Sequence, residues 1–283
     1  MPATPRASGP LVSPEVLAGL IGDRGLRVCD VRWYLGAPDR GRSEYLQAHI
    51  PGAVFVDLDN DLSARRGPGR HPLPHPVRFS ATLGRLGVTP DTTVVAYDSA
   101  GGAIAARMWW MLRRLGHRRV AVLDGGWQAW QAGDQTVEAG PVQVDPVPYP
   151  VLMSTWPDTI DRESIRVGTA LTLIDARAEE RFSGAVENVD ARPGHIPGAF
   201  NLPHTGNLDD QGKHVPPEVL AERYAGVGTE AVVYCGSGVT ACANILAMEL
   251  AGIDRVRLYP GSWSDWAAQP ELPAELGTER SAP

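Results

Sequence analysis

The sequence predicts an α/β chain of two tandem domains, each a mainly parallel sheet flanked by helices, and three observations predict it. A chain of 283 residues has room for two hydrophobic cores. The pentapeptide His49-Ile50-Pro51-Gly52-Ala53 returns unchanged as His195-Ile196-Pro197-Gly198-Ala199, which marks an internal duplication. Around both copies, short β-branched runs alternate with helical patterns in the same order, as crossover-connected parallel strands require.

In the first half, Leu11 to Leu20 reads as a helix, with Ser13 as N-cap and Pro14 at the first helical position. Leu26 to Val31 is a strand carrying Asp30 near its end, and Ser43 to Ala48 a short helix before the first pentapeptide. Thr93 to Tyr97 is a strand leading into Asp98, followed by a helix over Ala103 to Leu115 closed by Gly116. Leu123-Asp124-Gly125-Gly126-Trp127, with Trp130, ends the half. The second half repeats the plan. Leu171 to Ile174 runs into Asp175, Glu179 to Phe182 is helical, Ala231 to Tyr234 leads into Cys235, Val239 to Leu250 is a helix, and Pro260-Gly261-Ser262-Trp263 with Trp266 answers the tryptophan motif. Gly133 to Pro157 is proline-rich and reads as an extended connection. The expected organisation is a domain over 1–145, a linker over 146–158 and a second domain over 159–283.

Composition excludes several classes. Hydrophobic residues are 43% and charged residues 21%, with no apolar run long enough to span a bilayer, so neither a membrane protein nor a membrane partner is expected. A net charge of −7 opposes binding to nucleic acid; the local cluster Arg113, Arg114, Arg118 and Arg119 reads as a solvated helix end. Three cysteines cannot all pair, none has zinc-site spacing, and the N-terminus lacks a signal-peptide core, which fits a reducing cytoplasm. His71 and His75 are separated by prolines and have no third ligand nearby, so no metal is expected.

Chemistry concentrates at Cys235. It stands between a strand and a helix, and Gly236, Ser237, Gly238, Val239 and Thr240 are small enough for backbone N–H groups to curl around a central atom. A helix N-terminus favours the thiolate, which is the nucleophilic form of cysteine. The alternative, a buried packing cysteine, suits Cys29 inside an apolar strand and Cys242 inside the following helix. The first half has Asp98 at the corresponding place and lacks a nucleophile there.

The duplicated HIPGA, the GGW and GSW motifs and the loop CGSGVTA together resemble the two-domain rhodanese-type sulfurtransferases, and CGSGVT in particular resembles their 3-mercaptopyruvate branch. The resemblance implies an inactive N-terminal and a catalytic C-terminal rhodanese-like domain. It also implies that Cys235 takes a sulfur atom from a small-molecule donor as a persulfide and hands it to cyanide or to a thiol such as thioredoxin or a low-molecular-weight thiol, with no cofactor. By the same resemblance Ser237, Asp59 and His71 form a proton relay, Arg181 and Arg192 bind the donor's carboxylate, and Gly236, Gly238, Val239 and Thr240 form the substrate-binding loop. His49, His195, Asp30 and Asp175 read as structural.

Two other enzyme readings and one non-enzymatic reading compete. Cysteine phosphatases place an arginine six residues after the nucleophile, where this chain has Ala241. Thiosulfate enzymes of the same family carry basic residues directly after the cysteine, whereas Gly236 and Ser237 are neutral, which favours mercaptopyruvate. A binding or redox-sensing module would be marked by loss of the cysteine, and Cys235 is present.

Overall fold

The computed structural model describes residues 9–168, 171–228 and 230–278. The chain forms two compact units. The first comprises residues up to Ser63, Pro74–Trp156 and Asp210–His214; the second comprises Ala64–Leu73, Pro157–Asp209 and the chain from Val215 onward. Each half of the sequence therefore lends a short segment to the other unit.

The first unit runs β1 (Leu11–Val12), α1 (Pro14–Ala18), β2 (Leu26–Asp30), α2 (Arg40–Gln47), β3 (Val54–Phe55), α3 (Pro76–Arg85), β4 (Thr93–Tyr97), α4 (Ala105–Arg114), β5 (Val120–Leu123) and α5 (Gly126–Ala132). Its five strands are all parallel in the order β1-β5-β4-β2-β3. The helix expected from Leu11 begins only at Pro14, because Leu11 and Val12 pair with Val122 and Leu123 as an edge strand. Ser13 caps the helix, its hydroxyl accepting from the Val16 N–H at 3.4 Å.

The second unit runs α6 (Arg162–Val167), β6 (Thr172–Asp175), α7 (Glu179–Phe182), β7 (Phe200–Asn201), α8 (Pro217–Arg223), β8 (Ala231–Tyr234), α9 (Ala241–Leu250), β9 (Val256–Leu258) and α10 (Ser262–Trp266). Its four strands are parallel in the order β7-β6-β8-β9. α9 is apolar almost all round, and its first eight residues are buried, as a helix enclosed on every side requires. Among the described residues no helix is long and apolar enough to cross a membrane.

The duplication extends to the hydrogen bonds. Parallel register sets Asp30 opposite Tyr97 and Asp175 opposite Tyr234. Arg32 grips Asp30 through Nε and Nη2, and Arg177 grips Asp175 in the same way. Both guanidinium groups then lie over a tryptophan, Trp127 at 4.7 Å and Trp263 at 5.0 Å. His49 and His195 place Nδ1 against the carbonyls of Tyr45 and Phe182 at 2.7 and 2.9 Å, in the structural positions expected of them. A buried ion pair that loses one partner typically costs about 3–5 kcal/mol, so these twin networks brace the strand ends that carry the loops.

Candidate active site

β8 is an interior strand, and the loop leaving its carboxyl end is where ligands bind in open parallel sheets. Cys235 opens that loop and is 2% exposed. Its backbone is pinned from both sides. The Cys235 N–H donates to Ser262 Oγ at 3.1 Å, while the Trp263 and Ser264 N–H groups donate to the carbonyls of Cys235 and Gly236 at 2.9 Å each. The Gly-Ser-Trp motif thus fixes the nucleophile's main chain.

The sulfur faces the turn. Gly238 donates its N–H to Cys235 Sγ at 3.1 Å. It does so with φ +75°, and a Cβ there would lie 2.4 Å from the Pro260 carbonyl oxygen, so only glycine fits. Val239 is buried, and Thr240 stands at the N-cap of α9 without a side-chain capping bond. The loop runs directly into α9, whose N-terminus is the positive end of a helix dipole. Cys29 and Cys242 are both fully buried packing residues. Burial pushes the Cys29 thiol up to about 12, which keeps it unreactive at neutral pH.

Ser237 and His71 meet. Ser237 Oγ and His71 Nδ1 share a hydrogen bond of 2.7 Å, and both residues are 7% exposed. His71 comes from the first half of the sequence but belongs to the second unit through the segment Ala64–Leu73. That segment is anchored: the Arg70 N–H donates to Ser264 Oγ at 3.0 Å. Gly69 makes the approach possible, because a Cβ at its φ of +77° would lie 2.4 Å from the Gly261 carbonyl oxygen. Asp59 lies in the first unit, half-buried, with Oδ2 accepting from Trp33 Nε1 at 2.9 Å.

The two arginines separate. A Cβ on Gly236 would meet Arg181 Nη1 at 3.3 Å, so that guanidinium stands over the loop. Arg181 Nη2 binds Asp190 at 2.7 Å and both Glu187 oxygens at 3.1 Å. Arg192 turns elsewhere: its Nη2 donates to the carbonyls of Gln269 and Leu272 at 3.2 and 2.7 Å. In its place over the loop stands Arg70, whose Nη2 would lie 2.8 Å from a Cβ on Gly236 and whose Nη1 pairs with Asp190. The residues next to Cys235 in sequence are neutral, but two guanidinium groups reach Gly236 from distant segments. Arg70, Asp190 and Glu187 were not singled out by sequence reasoning; the one signal for Arg70 was its place beside His71.

Asp190 is 2% exposed in its side chain, and burial raises its carboxyl above the usual range despite Arg70 and Arg181. Glu187 is held below the ordinary range against the cost of burial, by the N–H groups of Asp190 and Val189 and by Arg181. The cluster beside the thiol is thus two guanidinium groups bridged and balanced by carboxylates.

The rhodanese-like domain model matches residues 13–133 and 160–269. A Pseudomonas aeruginosa protein provisionally named 3-mercaptopyruvate sulfurtransferase is 42% identical, over 96% of this chain and 99% of its own. A Mycobacterium tuberculosis protein provisionally named thiosulfate sulfurtransferase SseB is 41% identical, over 95% and 97%. The crystal structure of SseA from Escherichia coli, a 3-mercaptopyruvate enzyme with the rhodanese fold, superposes with a TM-score of 0.78 at 33% identity, covering 91% of this chain and all of that one. The chain belongs to the rhodanese family, as a two-domain sulfurtransferase related to the 3-mercaptopyruvate enzymes.

Proposed function

We propose that the chain moves a sulfane sulfur from 3-mercaptopyruvate through a persulfide on Cys235 to a thiol or cyanide. The observation that carries this is the Cys235 sulfur held at 3.1 Å by the Gly238 N–H, beside the Ser237–His71 hydrogen bond of 2.7 Å. The Cys235 thiolate attacks the donor's sulfur, forming an S–S bond while the C–S bond breaks. The electron pair of that bond passes to the pyruvate fragment as an enolate, which then takes up a proton. In this reading Ser237 and His71 deliver that proton, which their mutual hydrogen bond supports. Asp59 joins the relay in this proposal by family resemblance alone.

The outer sulfur now carries the negative charge, and the loop N–H groups with the α9 terminus stabilise it without rearranging. An acceptor thiolate attacks that sulfur, forms the acceptor's persulfide and returns Cys235 as thiolate; cyanide takes the sulfur as thiocyanate. The acceptor fits a low-molecular-weight thiol or thioredoxin, and the site of action the cytoplasm. In this reading the domain over 159–283 is catalytic, joined by the 146–158 linker to a domain over 1–145 that has lost its nucleophile. Thiosulfate is the alternative donor, favoured by the name of the Mycobacterium tuberculosis relative.

Mass spectrometry of the intact protein after incubation with each donor tests the proposal. One added sulfur is expected on the Cys235 peptide, formed more readily with mercaptopyruvate, and Cys235→Ser is expected to abolish transfer. Sulfur mapped to Cys29 or Cys242, or turnover by that variant, would overturn it.

A further inference from the structure

We propose that Ser262 is a positioning residue for Cys235: held in a strained conformation, its hydroxyl takes the nucleophile's N–H and sets the direction of the sulfur for transfer. The inference rests on the sulfur-transfer reading above, though not on the choice of donor. Three observations carry it.

The first is conformation. Ser262 is fully buried and adopts φ +55°, a region uncommon for residues that carry a Cβ. Among the described residues only Asp134 and Asp158 share it outside glycine, and aspartate tolerates it better than serine. The duplicated position, directly before Trp127, is Gly126, which takes φ +57° without that cost. The second half therefore keeps a strained serine where glycine would be relaxed. Strain of this kind persists only where the surroundings enforce it, and it gathers at functional sites.

The second observation is what the hydroxyl does. Ser262 Oγ donates to the Tyr259 carbonyl at 2.9 Å, which turns its lone pairs to the Cys235 N–H, accepted at 3.1 Å. A glycine makes neither bond. The third is that two exchanges go together. At Gly126 a Cβ would lie 2.4 Å from the Asp98 carbonyl oxygen, so the aspartate loop excludes a side chain there, whereas the cysteine loop admits one and bonds to it. Four backbone N–H groups fix the Asp98 carboxylate whatever its neighbour. The Cys235 sulfur, held by the Gly238 N–H, depends on where its main chain stands. Transfer makes and breaks bonds at that sulfur along a fixed line, and a displacement of about 1 Å can cost about 100-fold in rate.

Steady-state kinetics with mercaptopyruvate and with thiosulfate, urea unfolding and persulfide mass spectrometry of the unmodified protein test this. Two variants are compared: Ser262→Ala keeps the Cβ and loses the hydroxyl, and Ser262→Gly also relaxes the backbone. In both, kcat is expected to fall about 10- to 100-fold with either donor while KM changes little, because the sulfur is displaced and the donor's other contacts are not. Ser262→Gly is expected to be at least as stable as Ser262→Ala in urea midpoint, since glycine takes a positive φ freely, so its lost rate is not a lost fold. If neither donor loads Cys235 in the unmodified protein, the sulfur-transfer reading falls and the role of Ser262 with it. If Cys235 is loaded but Ser262→Gly keeps its kcat, the bond is structural and this inference alone is overturned. A loss confined to mercaptopyruvate, or a rise in KM at constant kcat, also overturns it, assigning Ser262 to proton delivery or to donor binding.

Discussion

The loops after β4 and β8 are the same device holding different anions. In the first unit the Asp98 carboxylate is fully buried and accepts four backbone N–H groups, from Ala100, Gly102, Ile104 and Ala105, at 2.7 to 2.9 Å. In the second unit the corresponding centre is Cys235 Sγ, with the Gly238 N–H upon it. The anchoring matches as well: the Trp127 N–H donates to the Asp98 carbonyl at 2.8 Å, as that of Trp263 does to Cys235 at 2.9 Å. The aspartate fills its cradle permanently with its own charge. In the reaction proposed above, the cysteine leaves its cradle for a transferable charge, first on the thiolate and then on the outer sulfur of a persulfide. On that reading, one duplicated loop is a structural keystone and the other a reaction centre.

The sharpest way to break that comparison is to strip the reaction machinery from the second loop alone. Ser237→Ala is expected to lower turnover with mercaptopyruvate by about 10²–10⁴-fold, the range of positioned acid–base groups, and turnover with thiosulfate far less. The reason is the leaving group: an enolate needs a proton and sulfite does not. His71→Asn should follow the same pattern, since it removes the partner of the 2.7 Å bond. Equal losses with both donors, measured as kcat, would make this pair a packing contact.

The first loop should fail in stability instead. Asp98→Ala strands four buried N–H donors, and each unsatisfied group costs about 1–3 kcal/mol, so the first unit is expected to lose on the order of 4 kcal/mol or more. Cys235→Ser, by contrast, replaces one small buried side chain by another and should shift stability by less than about 1.5 kcal/mol. Urea unfolding of both variants, followed by tryptophan fluorescence and by circular dichroism because two units need not unfold together, checks the contrast. A small loss in Asp98→Ala would mean that the cradle does not depend on its carboxylate.

What could be read from sequence follows the same division. The central strands β2, β4, β6 and β8 were legible because they are short apolar runs at matching places around a duplicated pentapeptide, whereas β1 read as the start of a helix and the two-residue strands β3 and β7 are too short to carry a pattern. Cys235 was legible because glycines and a helix follow it directly. Arg70 was not, since it sits in a polar Pro/Gly-rich stretch with no periodicity, and its meaning depends on Asp190, 120 residues away. Arg192 shows the complementary case: residue type and nearness to the pentapeptide suggest a clamp, while its Nη2 donates to two backbone carbonyls, those of Gln269 and Leu272. Side-chain direction is set by packing, and spacing along the chain does not encode it.

The smallest effect separates the units by pH. After α4 the His117 N–H closes on the Leu112 carbonyl at 3.0 Å, and after α9 the Ile253 N–H closes on Met248 at 2.8 Å, so a histidine in the first unit stands where the second has an isoleucine. His117 is 3% exposed, with Nε2 against the Thr92 carbonyl at 2.9 Å and Nδ1 near the Tyr149 hydroxyl. Burial lowers its pKa in the folded protein below the ordinary histidine value, and the Thr92 carbonyl offsets only part of that. Above about pH 6.5 both folded and unfolded chains hold the ring neutral, and the contribution to stability is fully present. Below that the unfolded chain binds a proton that the folded one refuses, so stability falls as pH drops toward the folded pKa and levels off beneath it. His117→Gln keeps a donor for Thr92 without a titrating group, and is expected to flatten the decline in urea midpoint between about pH 7 and pH 5. An unchanged slope in that variant would show that the acid sensitivity of the first unit arises elsewhere.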